Sequence, residues 1–135
     1  MDTSLPASGS ELPLRVLIAD DHVGLRAMIA DALRSNGCHV DEVGNGGLAL
    51  DAIRRGDHQV AIVDVRMPVM DGLAVAARAR KEGLACRVIV ISVMDDRETR
   101  RKVAELGAVF HRKPFRLADL LADVRGAEAV PQALP

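Results

Sequence analysis

The chain has 135 residues, 49% of them hydrophobic, and a formal net charge of −1. That balance fits one globular domain with a sizeable core, and it excludes a disordered chain or a strongly basic nucleic-acid binder. No apolar run approaches the ~20 residues of a membrane span, and the start MDTSLPASGSELP lacks the basic and apolar regions of a signal peptide.

A cytoplasmic location is expected on that basis, with residues 1–13 as a flexible tail. Arg15–Ala19 (RVLIA) is then a short aliphatic run that reads as a strand. Val23–Ser35 follows, with Leu25, Met28, Ile29, Ala32 and Leu33 at helical spacing. His39–Val43 (HVDEV) alternates apolar and polar residues, so a strand at a sheet edge or half exposed is expected. Asn45–Arg55 carries Leu48, Ala49, Ala52 and Ile53 on a second helix. Val60–Val63 (VAIV) is a third strand, and Leu73–Lys81 an Ala-rich helix. Arg87–Ile91 (RVIVI) is the fourth strand. Asp95–Leu106 reads as a helix, with Asp95 and Glu98 in a capping box and Gly107 as its stop. Ala108–Arg112 (AVFHR) is the fifth strand. Leu117–Arg125 is the last helix, and residues 126–135 form a C-terminal tail. Strand and helix alternate five times, which predicts an α/β domain: one doubly wound parallel sheet with helices on both faces.

In such a sheet, ligands bind outside the carboxyl ends of the strands. Asp20 and Asp21 stand there after the first strand, Asp64 after the third, Ser92 after the fourth and Lys113 after the fifth. Taken singly, each reads as a turn or cap residue. Taken together, they read as a site. Three like charges at one edge repel, and a divalent cation relieves that penalty. All-oxygen ligation suits Mg²⁺. A carboxylate can also act as a nucleophile and form an acyl-phosphate. Asp64 is therefore read as a phosphoryl acceptor, with Lys113 neutralising phosphoryl oxygens and Ser92 donating to one of them.

Other polar residues carry less. His22 reads as a solvated loop histidine, and His39, His58 and His111 show no ligand spacing. Cys38 and Cys86 show no metal spacing either and read as packing or surface residues in a reducing compartment. Asp71-Gly72 reads as a turn pair. Phe110 and Phe115 are the only aromatic residues besides histidine, and packing accounts for Phe115.

The stretches IADD (18–21), VDVRMPVMDG (63–72), VIVIS (88–92) and KPF (113–115) occur in that order. Together they resemble the response-regulator receiver domain of two-component signalling, from about Leu14 to Arg125. The resemblance implies a flavodoxin-like receiver over residues 14–125, with strand order 2-1-3-4-5. It implies a phosphorylation-activated switch whose only catalysis is its own phosphoryl transfer and dephosphorylation. The phosphoryl group would come from a histidine kinase or phosphotransfer protein. Asp64 would accept it, with Mg²⁺ as cofactor. Asp20 and Asp21 would be the acidic pair, with Asp21 favoured as the direct Mg²⁺ ligand, and the Arg66 backbone carbonyl a further ligand. Ser92 and Lys113 would contact the phosphoryl group, and Phe110 would be the switch aromatic. The Lys113–Pro114 bond is expected to be cis.

The output face would be the fourth helix, fifth strand and fifth helix. The fourth helix reads DDRETRRKVAEL. It is expected to meet a downstream protein or a second copy of the chain, with no direct nucleic-acid or membrane binding. VLIADDH resembles regulators whose receivers carry helix-turn-helix output domains. The Met1 start and Pro-terminated tail lead us to expect a stand-alone protein, with the receiver part of a longer DNA-binding regulator as the alternative.

Three positions depart from the common pattern or tune it. Val93 stands where the family usually has a small residue, and its stiff side chain is expected to narrow access for small phosphodonors. Met94 is expected to shield the acyl-phosphate, and Arg66 to pair with it, giving a long-lived state. Two rival readings use the same residues. One is a phosphorylation-independent interaction module. The other is a Mg²⁺ phosphohydrolase, which would need an acid/base two residues beyond its nucleophile, where Arg66 stays protonated.

Overall fold

The computed structural model describes residues 13–133. Five strands, β1 (Arg15–Ala19), β2 (His39–Val43), β3 (Val60–Asp64), β4 (Arg87–Ser92) and β5 (Val109–Arg112), alternate with five helices. The helices are α1 (Val23–Ser35), α2 (Gly46–Arg54), α3 (Gly72–Lys81), α4 (Arg97–Glu105) and α5 (Leu117–Ala133). The strands pair in parallel in the order β2-β1-β3-β4-β5, the expected doubly wound sheet. No helix among the described residues is long and apolar enough to cross a membrane.

Side chains alternate across a strand, and this sorts the core into two layers. Val16, Ile18, Ile62, Ile89 and Ile91 pack with Ile29 and Leu33 of α1 and Leu120 and Val124 of α5. Leu17, Ala19, Ala61, Val63 and Val90 pack with residues of α2, α3 and α4, among them Ile53, Val75 and Val103. β3 lies in the middle of the sheet and is buried throughout. That is why its sequence is an unbroken apolar run rather than an alternating one. β2 is an edge strand, and only Val40 of it is buried.

Four helices start on a side chain that accepts a hydrogen bond from the first turn. The acceptors are His22 Nδ1, Asn45 Oδ1, Asp71 Oδ1 and Asp96 Oδ1, and the donors the N–H groups of Leu25, Leu48, Ala74 and Thr99. Asp71 is thus a cap as well as a turn residue. The expected capping box at Asp95 and Glu98 is not formed. α4 begins two residues later than expected, capped by Asp96, because the Asp95 carboxylate is held by Arg100 and Arg112. The last helix runs on past Arg125 to Ala133. Residues 1–12, which hold nearly all of the expected N-terminal tail, lie outside the described residues.

The loop between β3 and α3 is pressed against α2. A Cβ at Gly46 would lie 1.8 Å from the Met70 carbonyl oxygen, and the Gly46 N–H donates to the Pro68 carbonyl at 3.3 Å. Within this loop Val69 has φ of 73°, and the Met70 N–H donates back to the Pro68 carbonyl at 2.8 Å. That is a positive-φ γ-turn, a rare and strained conformation.

Candidate functional site

The strand order reverses at β1, whose neighbours are β2 and β3. The crevice at such a reversal opens at the carboxyl ends of the strands. β1 delivers Asp20 and Asp21 there, β3 ends on Asp64, β4 ends on Ser92, and Lys113 follows β5. Asp20 and Ser92 are fully buried, and Asp64 is 6% exposed. The Lys113–Pro114 peptide bond is cis, as expected.

Asp20, Asp21 and Asp64 each offer a carboxylate oxygen within 4.8 Å of the others. Asp20 is fixed at both oxygens. Oδ1 accepts from the His22 N–H at 2.9 Å, and Oδ2 accepts from Lys113 Nζ at 3.1 Å. Asp64 Oδ2 accepts from the same Nζ at 2.7 Å, and Oδ1 accepts from the Arg66 N–H at 3.3 Å. Ser92 Oγ accepts from the Met94 N–H at 2.9 Å, so its own O–H is available to donate.

Burial pushes the Asp64 carboxyl up, and the Asp20 charge adds to this. The Lys113 hydrogen bond pulls it back only in part, so its pKa stays above the usual carboxylate value. Burial alone would lower the Lys113 pKa, but Asp64 and then Asp20 outweigh it and hold that pKa above its ordinary value. The pocket therefore has a surplus of negative charge and an oxygen-only donor set. That is the chemistry a small hard dication such as Mg²⁺ fits.

The remaining expected site residues are Arg66, Val93, Met94 and Phe110. Arg66 is exposed. Val93 and Met94 are also solvent-facing, and Val93 lines a surface cavity with Leu25, Met28 and Phe115. Phe110, on β5, is half-buried against the α2–α4 layer, with the Arg100 guanidinium 4.9 Å from its ring centroid. Phe115 packs against the other layer, edge-on to His111. Cys38 and Cys86 are half-buried, one against each core layer. Burial pushes the Cys86 thiol up to about 11, which makes it a poor nucleophile.

His22 and His58 do more than the sequence suggested. His22 caps α1 while its backbone N–H holds Asp20. Its position directly before the first helical residue was the available signal. His58 is buried, and its Nε2 lies 2.7 Å from Asp41 Oδ2. That contact joins β2 to the segment before β3, and no local pattern marks it.

Comparison with known proteins agrees with this geometry. The response regulator receiver domain family matches residues 16–125. Response regulator MprA of Mycobacterium sp. (strain KMS) is 33% identical over 115 residues, covering 84% of this chain and 50% of its own. This chain thus spans about half the length of the MprA relatives it matches. Sporulation initiation phosphotransferase F of Bacillus subtilis is 27% identical over 107 residues, covering 78% of this chain and 86% of its own. The receiver domain of the Francisella response regulator 1452 superposes with a TM-score of 0.80 at 27% identity, covering 84% of this chain and 95% of that one. An acid pocket at the switch point of a β2-β1-β3-β4-β5 sheet and a family match over nearly the whole described chain lead to one conclusion: this chain belongs to the response regulator receiver domain family of two-component signalling.

Proposed function

We propose that this receiver is operated by phosphorylation of Asp64. The observation that carries the reading is the Lys113 ammonium, which bridges Asp64 and Asp20 at 2.7 and 3.1 Å in a buried acid pocket. An Asp64 carboxylate oxygen attacks the phosphorus of a phosphohistidine on a kinase or phosphotransfer protein. An O–P bond forms, the N–P bond breaks, and the electron pair leaves with the imidazole. Asp20, Asp21, Asp64 and the Arg66 carbonyl would hold Mg²⁺, which offsets the charge that gathers on the phosphoryl oxygens. Lys113 takes a second phosphoryl oxygen, and the Ser92 O–H donates to a third. That draws the segment after β4 inward and lets Phe110 turn. The phosphoryl group acts by its differential contacts with two states of the domain.

The α4–β5–α5 face is the proposed output, toward a downstream protein or a second copy. Phosphoryl transfer and dephosphorylation are the only reactions assigned to the domain, and its proposed location is the cytoplasm. The transcriptional regulatory protein TcrA of Mycobacterium tuberculosis is 32% identical to this chain, which matches 47% of its length. That supports a second reading, in which this domain is the receiver part of a longer DNA-binding regulator.

Intact mass after incubation with acetyl phosphate and Mg²⁺ tests the central reading. One phosphoryl group is expected, absent in Asp64→Asn and in chelator. If Val93 excludes the small donor, beryllium fluoride should still bind. Failure of both would replace the switch with a phosphorylation-independent interaction module.

A further inference from the structure

The Phe110 ring has two different neighbours. On one side it packs against the apolar layer that includes Val103 and Val90. On the other, the Arg100 guanidinium lies 4.9 Å from the ring centroid, a cation–π arrangement. Arg100 is not free to choose this position. Its Nε is bound to Asp95 Oδ1, and the other Asp95 oxygen lies 3.9 Å from Arg112 Nε. Asp95 belongs to the segment between β4 and α4, three residues beyond Ser92. Arg112 is the register partner of Ser92 on β5, as Phe110 is of Val90 on β4. One carboxylate thus ties together the segment after Ser92, the first turn of α4 and the strand that carries Phe110.

We propose that Asp95 and Arg100 form a latch on Phe110, and that this latch sets the resting balance of the switch. The inference rests on the proposed switch function and names its regulation. Arg100 and Asp95 are positioning residues, since neither reaches the acid pocket. With the segment after β4 in its present place, Asp95 holds Arg100 over the ring and Phe110 stays where it is. When the phosphoryl group draws Ser92 inward, Asp95 moves with the segment. Arg100 then loses its anchor, and the ring is released. The latch opposes the switched state, so the phosphoryl group must overcome it. This also accounts for the failure of the capping box: the Asp95 carboxylate is used by the latch, and Asp96 caps α4 instead.

The chain holds two phenylalanines and no tyrosine or tryptophan, so isotope-labelled phenylalanine gives only two ring systems. Three-bond couplings to the ring carbon then report the χ1 populations of Phe110 directly, with Phe115 as internal reference. The full chain is compared with Arg100→Ala, Asp95→Asn and Arg100→Lys, each with and without Mg²⁺ and beryllium fluoride. Both Arg100→Ala and Asp95→Asn should move the Phe110 populations without any phosphoryl mimic, and Arg100→Lys should move them less. Beryllium fluoride should bind about two- to fivefold more tightly to Arg100→Ala, the size of one exposed cation–π contact. Unchanged Phe110 populations in Arg100→Ala would overturn the latch, as would a shift in Arg100→Ala that Asp95→Asn does not share. Should the unmodified chain take up neither acetyl phosphate nor beryllium fluoride, the switch reading falls, and the ring populations still decide whether Asp95 and Arg100 hold Phe110.

Discussion

Lys113 reaches Asp64 across the end of a strand that lies between them. Lys113 follows β5, the sheet edge, whereas Asp64 ends β3, two strands away, yet Nζ and Oδ2 are 2.7 Å apart. The same ammonium serves Asp20 at 3.1 Å. One cation for two buried carboxylates leaves the site short of positive charge. Asp64 therefore keeps a raised pKa, first from burial and then from Asp20, despite its bond to Lys113.

A raised carboxylate pKa has a definite sign in stability. The folded state binds the Asp64 proton more tightly than the unfolded state, so the ionised form works against folding. The contribution of this group is fully present below its unfolded value of 3.8 and is lost as pH rises through the folded value. Asp64→Asn should therefore stabilise the metal-free domain at pH 7, by on the order of 1 kcal/mol or roughly 3–5 °C in Tm. The gain should shrink as the pH is brought down toward 4. Thermal unfolding of both proteins in chelator at several pH values checks this, and a Tm at pH 7 no higher than that of the unmodified chain would refute it.

Most of the fold was legible because its code is local. Strand runs such as VAIV and RVIVI and the spacing of Leu25, Ile29 and Leu33 place both core layers without long-range information. The acid pocket was legible because each member stands directly after a strand. What escaped depends on contacts between distant segments. The capping-box rule favours Asp95, with Glu98 three residues on, but Arg100 and, from another strand, Arg112 hold the Asp95 carboxylate and leave the cap to Asp96. His58 meets Asp41 across 17 residues. Neither pairing leaves a periodic trace in the sequence.

The solvent-facing residues around the pocket should tune how long Asp64 stays phosphorylated. Met94 is held two residues beyond Ser92 by its own N–H on the Ser92 hydroxyl, so it moves with that hydroxyl. Once Ser92 is drawn to the phosphoryl group, Met94 should cover it, and the Arg66 guanidinium can pair with its oxygens. Met94→Ala and Arg66→Ala should each speed dephosphorylation about threefold, which is less than about 1 kcal/mol of barrier. The rate of loss of the phosphorylated mass in each variant measures this, and unchanged rates in both would remove Met94 and Arg66 from any role in lifetime.

Val69 offers a gain in stability. It is 81% exposed, so its side chain contributes little burial. Its φ of 73° is costly for a β-branched residue. Asn tolerates that region far better. Val69→Asn should stabilise the domain by about 1 kcal/mol in urea unfolding, with an unchanged dependence on denaturant.

The Asp41–His58 contact should give stability an acid limb. The hydrogen bond from His58 holds the Asp41 carboxyl below its ordinary 3.8. A depressed carboxylate pKa contributes stability that is present above the unfolded value and lost as pH falls through the folded one. Asp41→Asn should cost stability at pH 7, and the cost should fade below about pH 4. His58→Ala should cost more, about 2 kcal/mol, because it also empties a buried position in the segment before β3.

Two glycines near helix starts separate close approach from mere flexibility. At Gly24, in the first turn of α1, an added Cβ would find only the His22 ring, at 3.5 Å, an ordinary contact. Ala there should stabilise the helix by about 0.5–1 kcal/mol. At Gly46 the same atom would lie 1.8 Å from the Met70 carbonyl oxygen and 2.6 Å from its carbon, both backbone. Neither atom can turn away as a side chain would. Either α2 or the β3–α3 loop must move, and that loop is pinned at its other end by Gly72, where a Cβ would lie 2.3 Å from the Asp64 carbonyl oxygen. Gly46→Ala should therefore destabilise the domain by about 2 kcal/mol or more. It should also weaken Mg²⁺ binding, because the displaced loop contains Arg66 and begins directly after Asp64. Urea unfolding of the two alanine variants should give opposite signs. A neutral Gly46→Ala would mean that the loop yields at no cost, and that α2 has no part in positioning it.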